Sequence, residues 1–240
     1  MIFKKLKWLS IFSAIAVAAA FTACDTADTN IDSMGQGVIQ MKAADGESGA
    51  NSQAAKLKQS STTVNDGTNE IEITEVKFFI EEFELDGTNG TADFELEEQD
   101  DFIVNLPLDG SPLTIAQAQI PTGFYDEFEL EIEKPDSDIN VSDPDFRDET
   151  GSYSTVVKGL YNGEEFTFRS TEDFEIDLDL NPPMEISETS QSTLVIEIFL
   201  PVWFMGNDGM VMDPKEQGNV ERINENIEDS FEAVEEAFED

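Results

Sequence analysis

The sequence predicts an all-β fold, a single antiparallel β-sandwich with an amphipathic helix at its C-terminal end, and two observations support this prediction. From Glu70 onward apolar and acidic side chains alternate, as in residues 127–133 and 174–180, and a period of two is typical of strands with one buried face. Roughly eight or nine such segments are separated by turn residues. Because no helical segment between them is long enough for a parallel crossover, antiparallel pairing is expected, with a closed barrel as the alternative.

Residues 1–23 have the features of a secretory signal peptide. Three lysines within the first seven residues precede an uncharged, mostly apolar run over residues 8–21, which is too short to span a bilayer comfortably. The run leads into Phe21-Thr-Ala-Cys24, which resembles the lipobox of bacterial lipoproteins, although Phe21 stands where Leu is usual. The sequence therefore predicts that Cys24, the only cysteine, is acylated and anchors an exported protein to a membrane of the cell envelope, on its periplasmic side or at the outer surface. The alternatives are ordinary secretory cleavage and an uncleaved anchor.

The rest of the chain divides by composition into a tether, a sandwich domain and a C-terminal segment. The predicted boundaries are 24–36 for the polar tether, 37–205 for the sandwich, and 206–240 for a loop followed by the helix. Within the sandwich, residues 43–68 contain few bulky side chains. We expect them to form a long mobile loop, because such a composition cannot bury enough apolar area to become ordered.

Local signals place the other elements. Further strands are expected at 37–42, 76–85, 94–97, 102–106, 155–161, 165–169 and 193–200. In the second of these the apolar positions change from even to odd numbers at Glu81-Glu82, which predicts a β-bulge. Asn162-Gly163 predicts a two-residue hairpin. At the C-terminus, spacings of three and four predict one helix docked on the sandwich, with a partner-binding helix as the alternative. Its apolar stripe consists of Val220, Ile223, Ile227, Phe231, Val234 and Phe238.

The order of the segments 72–85, 102–106 and 120–130 resembles that of the bacterial lipoproteins that carry domain of unknown function 4382. The last segment contains the element Pro121-Thr-Gly-Phe-Tyr125, and the resemblance covers residues 37–200. It implies an immunoglobulin-like or transthyretin-like sandwich on a lipid anchor, without an established activity. We expect Tyr125 to have a structural role, since a Tyr at a strand start can brace a neighbouring connection with its hydroxyl.

The composition excludes many activities. The 240 residues include 53 Asp and Glu, 13 Lys and Arg, no His and one Cys, which rules out Ser-His and Cys-His nucleophiles, imidazole metal sites and thiolate zinc cages. The chain from Cys24 onward carries a formal charge of −43. Because this charge repels phosphates, no nucleic-acid partner is expected. The excess of acids over lysine resembles halophilic proteins and predicts adaptation to high salt, with an ordinary acidic envelope protein as the alternative.

An acidic loop is a candidate calcium site. Its spacing matches the first, third and fifth ligand positions of an EF-hand, but Val141 stands where the turn needs Gly, and Arg147 stands where a bidentate Glu is needed. Only an irregular calcium loop is compatible with this sequence, and a solvated loop without calcium is the favoured interpretation. The candidate ligands are Asp136, Asp138, Asn140, Asp143 and Asp145.

Trp203 and Phe204 are candidates for an exposed aromatic platform that binds a glycan or an envelope protein. We favour the alternative, in which both rings anchor the C-terminal segment to the sheet. The sequence therefore predicts a lipid-anchored structural or binding module that has no enzymatic activity and no cofactor, calcium being the one candidate. A calcium-dependent carbohydrate-binding protein or a carboxylate-based glycosidase is the alternative, but the acids placed by alternation lie on outward strand faces.

We predict that the Cys24→Ala variant accumulates as unprocessed precursor, because the acylated cysteine becomes the new N-terminus of a lipoprotein. Mass spectrometry of the N-terminal peptide from the membrane-extracted protein measures the acyl mass. Thr26→Ala, two residues further on, should be processed normally. An unmodified N-terminus at another residue would contradict lipidation.

Overall fold

The computed structural model describes residues 33–44, 56–58, 61–88, 93–97 and 102–236. Its α-helix, α1, spans Val220–Glu228. The strands are β1 (Met34–Ala43), β2 (Lys56–Lys58), β3 (Ser61–Asn65), β4 (Glu70–Gly87), β5 (Phe94–Glu97), β6 (Ile103–Asn105), β7 (Leu113–Pro121), β8 (Gly123–Ile132), β9 (Arg147–Asp148), β10 (Gly151–Ser152), β11 (Thr155–Tyr161), β12 (Glu164–Ser170), β13 (Phe174–Ile186), β14 (Gln191–Ile198) and β15 (Phe231–Glu236). In these ranges no helix combines the length and the apolar character needed to cross a bilayer.

The strands form a β-sandwich, which confirms the predicted fold class. The smaller sheet has the order β15-β14-β1-β7, and the larger sheet is built around β4. Strands β1 and β14 pair in parallel, while the other strand pairs within the described residues are antiparallel. The core lies between the two sheets. It includes Ile39, Met41, Phe78, Phe83, Phe128, Leu130, Leu194 and Ile196.

Strand β4 belongs to two parts of the larger sheet. Its first half pairs with β11 and β3, and its second half pairs with β8 and β5. The pairing with β8 skips Glu81, which is therefore the extra residue of a β-bulge, as predicted, and the bulge returns Phe83 and Leu85 to the core. A second bulge at Thr74 faces Gly159. A Cβ at Gly159 would lie 2.0 Å from a backbone oxygen of β4, so this close approach requires glycine.

Two local predictions are confirmed by backbone and side-chain geometry. Asn162 and Gly163 have φ values of 51° and 81° and join β11 to β12, as expected for a tight hairpin turn. The Tyr125 hydroxyl donates a hydrogen bond of 2.8 Å to the carbonyl oxygen of Pro121. Tyr125 therefore braces the connection between β7 and β8.

Part of the segment 43–68, which we expected to be a mobile loop, forms strands β2 and β3. Strand β3 pairs with β4, and its Ser61 and Thr62 are buried. A tight turn follows, in which Asp66 Oδ1 accepts backbone N–H hydrogen bonds of 2.6 and 2.7 Å. The expectation of a loop was wrong for residues 56–58 and 61–65. In β3, small β-branched and hydroxyl side chains fit a strand whose backbone is paired with a longer neighbour. Residues 45–55 lie outside the described residues. At the other end of the domain, β1 begins at Met34, so the predicted tether is shorter than 24–36.

The C-terminal helix is shorter than the predicted apolar stripe. It ends at Glu228, and Phe231–Glu236 forms β15, which is antiparallel to β14. Strand β14 is buried over its middle residues, so its free edge needs a hydrogen-bonding partner, and β15 provides one. Spacings of three and four along the stripe could not reveal this change from helix to strand. Phe238, the last residue of the stripe, lies outside the described residues.

A set of hydrogen bonds fixes α1 to residues 202–205, which follow β14. The Asn226 amide nitrogen lies 2.9 to 3.0 Å from the carbonyl oxygens of Val202, Trp203 and Met205. At the end of the helix, Ser230 Oγ accepts a hydrogen bond of 2.7 Å from the Trp203 indole nitrogen. Asn226 thereby supplies donors to the carbonyl oxygens of Trp203 and Met205, and adds to the Met205 N–H that the Val202 oxygen already accepts.

We predict that Asn226→Ala lowers the free energy of unfolding by about 1–3 kcal/mol, because the carbonyl oxygens of Trp203 and Met205 lose the side-chain donor. Urea unfolding measures the change. Glu228→Ala, at an exposed position of the same helix, serves as the control and should stay within about 0.5 kcal/mol of the native chain. Equal stability of the two variants would show that Asn226 does not hold the helix.

Candidate functional site

Trp203 and Phe204 lie in the core and not on the surface. Their exposed fractions are 0 % and 1 %. Trp203 packs edge-on against Phe78 with ring centres 6.1 Å apart, and Phe204 packs against Phe166 at 5.6 Å. The interpretation as an exposed platform is therefore wrong, and both rings anchor the C-terminal segment to the larger sheet. Cys24, the predicted lipidation site, lies outside the described residues.

Arg147 crosslinks the loop that carries the candidate calcium ligands. Its Nη1 donates a 2.8 Å hydrogen bond to the Ile139 carbonyl oxygen, and its Nη2 donates to the carbonyl oxygens of Pro135 and Asp136 at 2.7 and 2.5 Å. Its Nε donates to Ser152 Oγ at 2.9 Å. Backbone carbonyl oxygens are among the ligands that calcium uses in loops. Here a guanidinium from the same chain supplies the positive charge and the donors for these oxygens.

Two lysines hold the second half of the same loop. Lys77 Nζ lies 2.7 Å from Asp143 Oδ2 and 2.8 Å from Asp145 Oδ2, and Lys158 also forms an ion pair with Asp145. Glu75 Oε1 lies 3.1 Å from Lys77 Nζ and 3.0 Å from Lys158 Nζ. Burial alone would raise the pKa of both aspartates, but the hydrogen bonds from the lysines outweigh burial and lower the pKa of Asp143 and Asp145. We call these five residues the lysine network.

The other three candidate calcium ligands do not join the lysine network. Asp136, Asp138 and Asn140 are exposed at the tip of the loop. In the described part of the chain, two groups of three acids bring carboxylate oxygens within 4.8 Å of one another. Both groups include residues of the larger sheet, and neither includes a residue of this loop. The loop is therefore held by cations of the chain itself, and calcium binding here stays a prediction.

A second arrangement of charges, which we call the acidic face, covers the side of the larger sheet opposite to the core. It is formed by alternate residues of β13, β8 and the second half of β4. Pairing aligns them in rows, so that Asp177 lies opposite Glu129 and Glu129 lies opposite Glu84. The three strand segments contain no Lys or Arg. The members of the acidic face are Glu82, Glu84, Asp86, Glu127, Glu129, Glu131, Glu175, Asp177 and Asp179.

Three glutamates of β8, the middle strand of the acidic face, lie between acids of both neighbouring strands, and we call them the central row. Partial burial, and then the negative charges of neighbours on the adjacent strands, raise the pKa of Glu127, Glu129 and Glu131. Carboxylate oxygens of Glu129, Glu175 and Asp177 lie within 4.8 Å of one another. Like charges directly opposite across strands are destabilising. Protons or dissolved cations would therefore relieve the repulsion within the acidic face.

Glu133 and Glu81 form a carboxyl pair beside the acidic face. The hydrogen bond to Glu81, together with partial burial, raises the pKa of Glu133 to about 7, because two carboxyl groups in contact share one proton. Catalytic carboxylates of glycosidases lie about 5–9.5 Å apart. A pair in hydrogen-bond contact is too close for that role, so it does not support the glycosidase alternative.

Sequence reasoning missed the lysine network. Lys77 lies more than sixty residues before Asp143, and no local pattern connects them. The one available signal is that basic residues are rare, since the chain from Cys24 onward has only ten of them. A Lys within an apolar strand pattern is expected to have a specific acidic partner. The acidic face, by contrast, follows from alternation once strand register is known.

Comparisons of the chain with protein-family models, with curated proteins and with solved structures find no match. The resemblance to lipoproteins with domain of unknown function 4382 stays a prediction that rests on the segments quoted above. The functional argument therefore rests on the geometry of the described residues.

We predict that the free energy of unfolding rises as the pH is lowered from about 8 to about 5 and falls again below about pH 4. Glu133 and the glutamates of the central row have raised pKa values in the folded chain, so folding takes up protons in this range and stability is lost as the pH rises. Asp143 and Asp145 have lowered pKa values, so their stabilising contribution disappears only as the pH falls through those values.

Urea unfolding at constant ionic strength measures this profile. Glu133→Gln, which mimics the protonated carboxyl, should remove the change near pH 7, whereas Glu188→Gln at an exposed position should retain it. A stability that increases steadily from about pH 5 to about pH 8 would contradict the assignment.

Proposed function

We propose that this chain is a lipid-anchored module of the bacterial cell envelope, adapted to high salt, that acts by binding or as a structural component and not by catalysis. Cys24 and the preceding apolar run support the anchor. The acidic face is the observation that carries the rest of the proposal. The negative charge of the acidic face determines how the stability of the domain depends on salt, and which membranes and partners attract or repel it.

Dense rows of carboxylates suit a medium of high ionic strength. Directly opposed side chains on neighbouring strands have Cβ atoms about 4.5–5.5 Å apart, and the Debye length falls from about 8–10 Å at physiological salt to about 3 Å at 1 M. Molar salt thus screens the repulsion between members of the acidic face, whereas dilute buffer does not. Hydrated carboxylates also keep the sheet soluble under these conditions.

The same charge determines which surfaces the module can approach. Anionic lipid head groups and acidic polymers repel the acidic face, so a lipid on Cys24 would hold the sandwich near the membrane while its charge keeps the sheet away from the lipid surface. A partner with a basic surface is attracted. We therefore propose an envelope protein with a basic surface as the partner. A neutral glycan is the other candidate, because it is not repelled by the acidic face.

Binding, rather than catalysis, is supported by the use of the ionisable groups. The lysine network holds a loop against β4 and β11, and Arg147 binds backbone oxygens. A carboxylate enzyme instead needs an acid kept protonated and a second acid across a cleft. The calcium-dependent alternative is weakened because lysines already neutralise Asp143 and Asp145.

We predict that the melting temperature of the soluble domain beginning near Asp25 rises from low to molar NaCl, and that neutralising the acidic face reduces this rise. The test variant carries Glu127→Gln, Glu129→Gln and Asp177→Asn. It should melt several degrees higher than the native chain at low salt, since repulsion within the rows is relieved.

The matched control carries Glu149→Gln, Glu165→Gln and Glu188→Gln, which changes the net charge equally at exposed positions outside the acidic face. Thermal melts across NaCl concentrations compare the two. If both variants shift equally, net charge and not the acidic face determines the salt response. A flat salt profile of the native chain would overturn the proposed adaptation.

A further inference from the structure

Strand β7 forms a free edge of the smaller sheet. The strand order is β15-β14-β1-β7, and among the described residues β7 pairs with β1 alone. Residues 110–125, which include all of β7, contain no Asp, Glu, Lys or Arg. The other edge strands of at least four residues, β5, β12, β13 and β15, each contain Asp or Glu. Strand β7 is therefore the one uncharged edge of this length in the part of the chain that the structure describes.

The register of β7 shows which of its backbone groups point away from β1. The Thr122 N–H donates a 2.7 Å hydrogen bond to the Ser33 carbonyl oxygen, and these two residues continue the register of β7 with β1. Hydrogen-bonded and non-hydrogen-bonded pairs alternate along an antiparallel ladder. The N–H and C=O groups of Gln117 and Gln119 therefore point to the free edge, where no backbone hydrogen bond from another described residue reaches them.

This edge has little protection against pairing with another chain. Proteins normally block free edges with charged side chains, prolines, bulges or covering loops. The register of β7 with β1 skips Ile115, which forms a bulge, and Pro121 lacks an N–H where the edge ends. Between them, residues 116–120 form a regular strand, and the side chains of Gln117 and Gln119 are exposed. These five residues are open to a further strand.

We propose that β7 pairs with β7 of a second copy of this chain, antiparallel about a two-fold axis, so that the two smaller sheets become one continuous sheet. A register centred on Ala118 places Gln117 of each copy opposite Gln119 of the other. Each of these pairs then exchanges two backbone hydrogen bonds. The Gln side chains both donate and accept, so the facing amides also complement each other. Such a contact uses the same surface on both copies and closes as a dimer.

The distribution of charge favours a second copy as the occupant of this edge. Two chains that each carry −43 repel one another at most surfaces, whereas the edge brings two uncharged strands together. The adjacent β1 has one charged side chain, Lys42, which forms an ion pair with Glu197. The acidic face lies on the other sheet, on the side opposite to the core. Since the Debye length falls to about 3 Å at 1 M salt, we expect the dimer at molar salt and not in dilute buffer.

This partner goes beyond the proposed function, in which a partner binds the acidic face. The dimer uses a different surface and does not require the lipid on Cys24. Because the pairing involves few residues, the interface is small and the dimer is expected to be weak and reversible.

Sedimentation of the full chain in non-ionic detergent, over a range of protein concentrations at low and at molar NaCl, tests the proposal. We expect monomers at low salt and dimers at molar salt. Gln119→Pro removes an N–H from the free edge and none from the ladder with β1. It should weaken dimerisation by about ten-fold or more, with a melting temperature close to that of the native chain.

Gln119→Ala is the matched control, because it removes the side chain and keeps the N–H. It should weaken dimerisation by less than about three-fold, since the backbone hydrogen bonds remain. Equal weakening by the two variants would mean that the backbone edge is not the contact. That result, or a native chain that stays monomeric at molar salt, overturns the proposal.

Hydrogen exchange of the native chain at molar NaCl locates the contact. The amides of residues 116–120 should exchange more slowly as the protein concentration rises, whereas those of β12 should not change. Slow exchange of Gln117 and Gln119 in the monomer would mean that another segment of the chain covers the edge. Fast exchange at every concentration in a chain that dimerises would place the interface elsewhere. Either result overturns the proposal, and this measurement decides if Gln119→Pro fails to fold.

Discussion

The pairing of β4 along both of its edges is the interaction on which the rest of the structure depends. Its 18 residues pair with β3, β5, β6, β8 and β11. Bulges at Thr74 and Glu81 allow the two halves to take different neighbours, while inward positions stay apolar on both sides of each bulge. Without the extra residue at Glu81, Phe83 and Leu85 would turn to solvent and their acidic neighbours would enter the core. The register of β8, and through it that of β13, follows from this one residue.

The acidic face is a direct consequence of that register. Alternate residues of these strands face the solvent, and this chain uses Asp or Glu at nine of these positions. Where other proteins alternate acids and lysines across strands, here acids oppose acids, and partial burial together with the charges of neighbouring acids raises the pKa of the central-row glutamates. Three of the cations, Lys77, Lys158 and Arg147, instead hold the loop over residues 135–146, which contains no strand.

The sequence predicts the features that depend on near neighbours. Alternation indicates the long strands, the change of parity indicates the bulge at Glu81, and Asn162-Gly163 indicates its turn, because each depends on residues close in sequence. Strand β3 and strand β15 could not be predicted, since Thr62 and Ala233 become strand residues only through the exposed edges of β4 and β14. Contacts between residues far apart in sequence also limit what could be predicted about the candidate sites. Asp143 and Asp145 are visible as oxygen donors, but their partner Lys77 comes from a distant strand.

The chain therefore handles excess negative charge in two physically different ways. In the loop of Arg147, cations are covalently part of the protein, at fixed distances and largely shielded from water, so dissolved salt screens these contacts only weakly. The three strand segments of the acidic face contribute no Lys or Arg of their own, so protons and dissolved cations relieve the repulsion there to an extent that varies with the solvent. Salt should thus act mainly on the sheet around β8, while the loop keeps its geometry at any ionic strength. A fold that divides its charges in this manner can bind a partner at the solvent-dependent surface without disturbing the internally neutralised one.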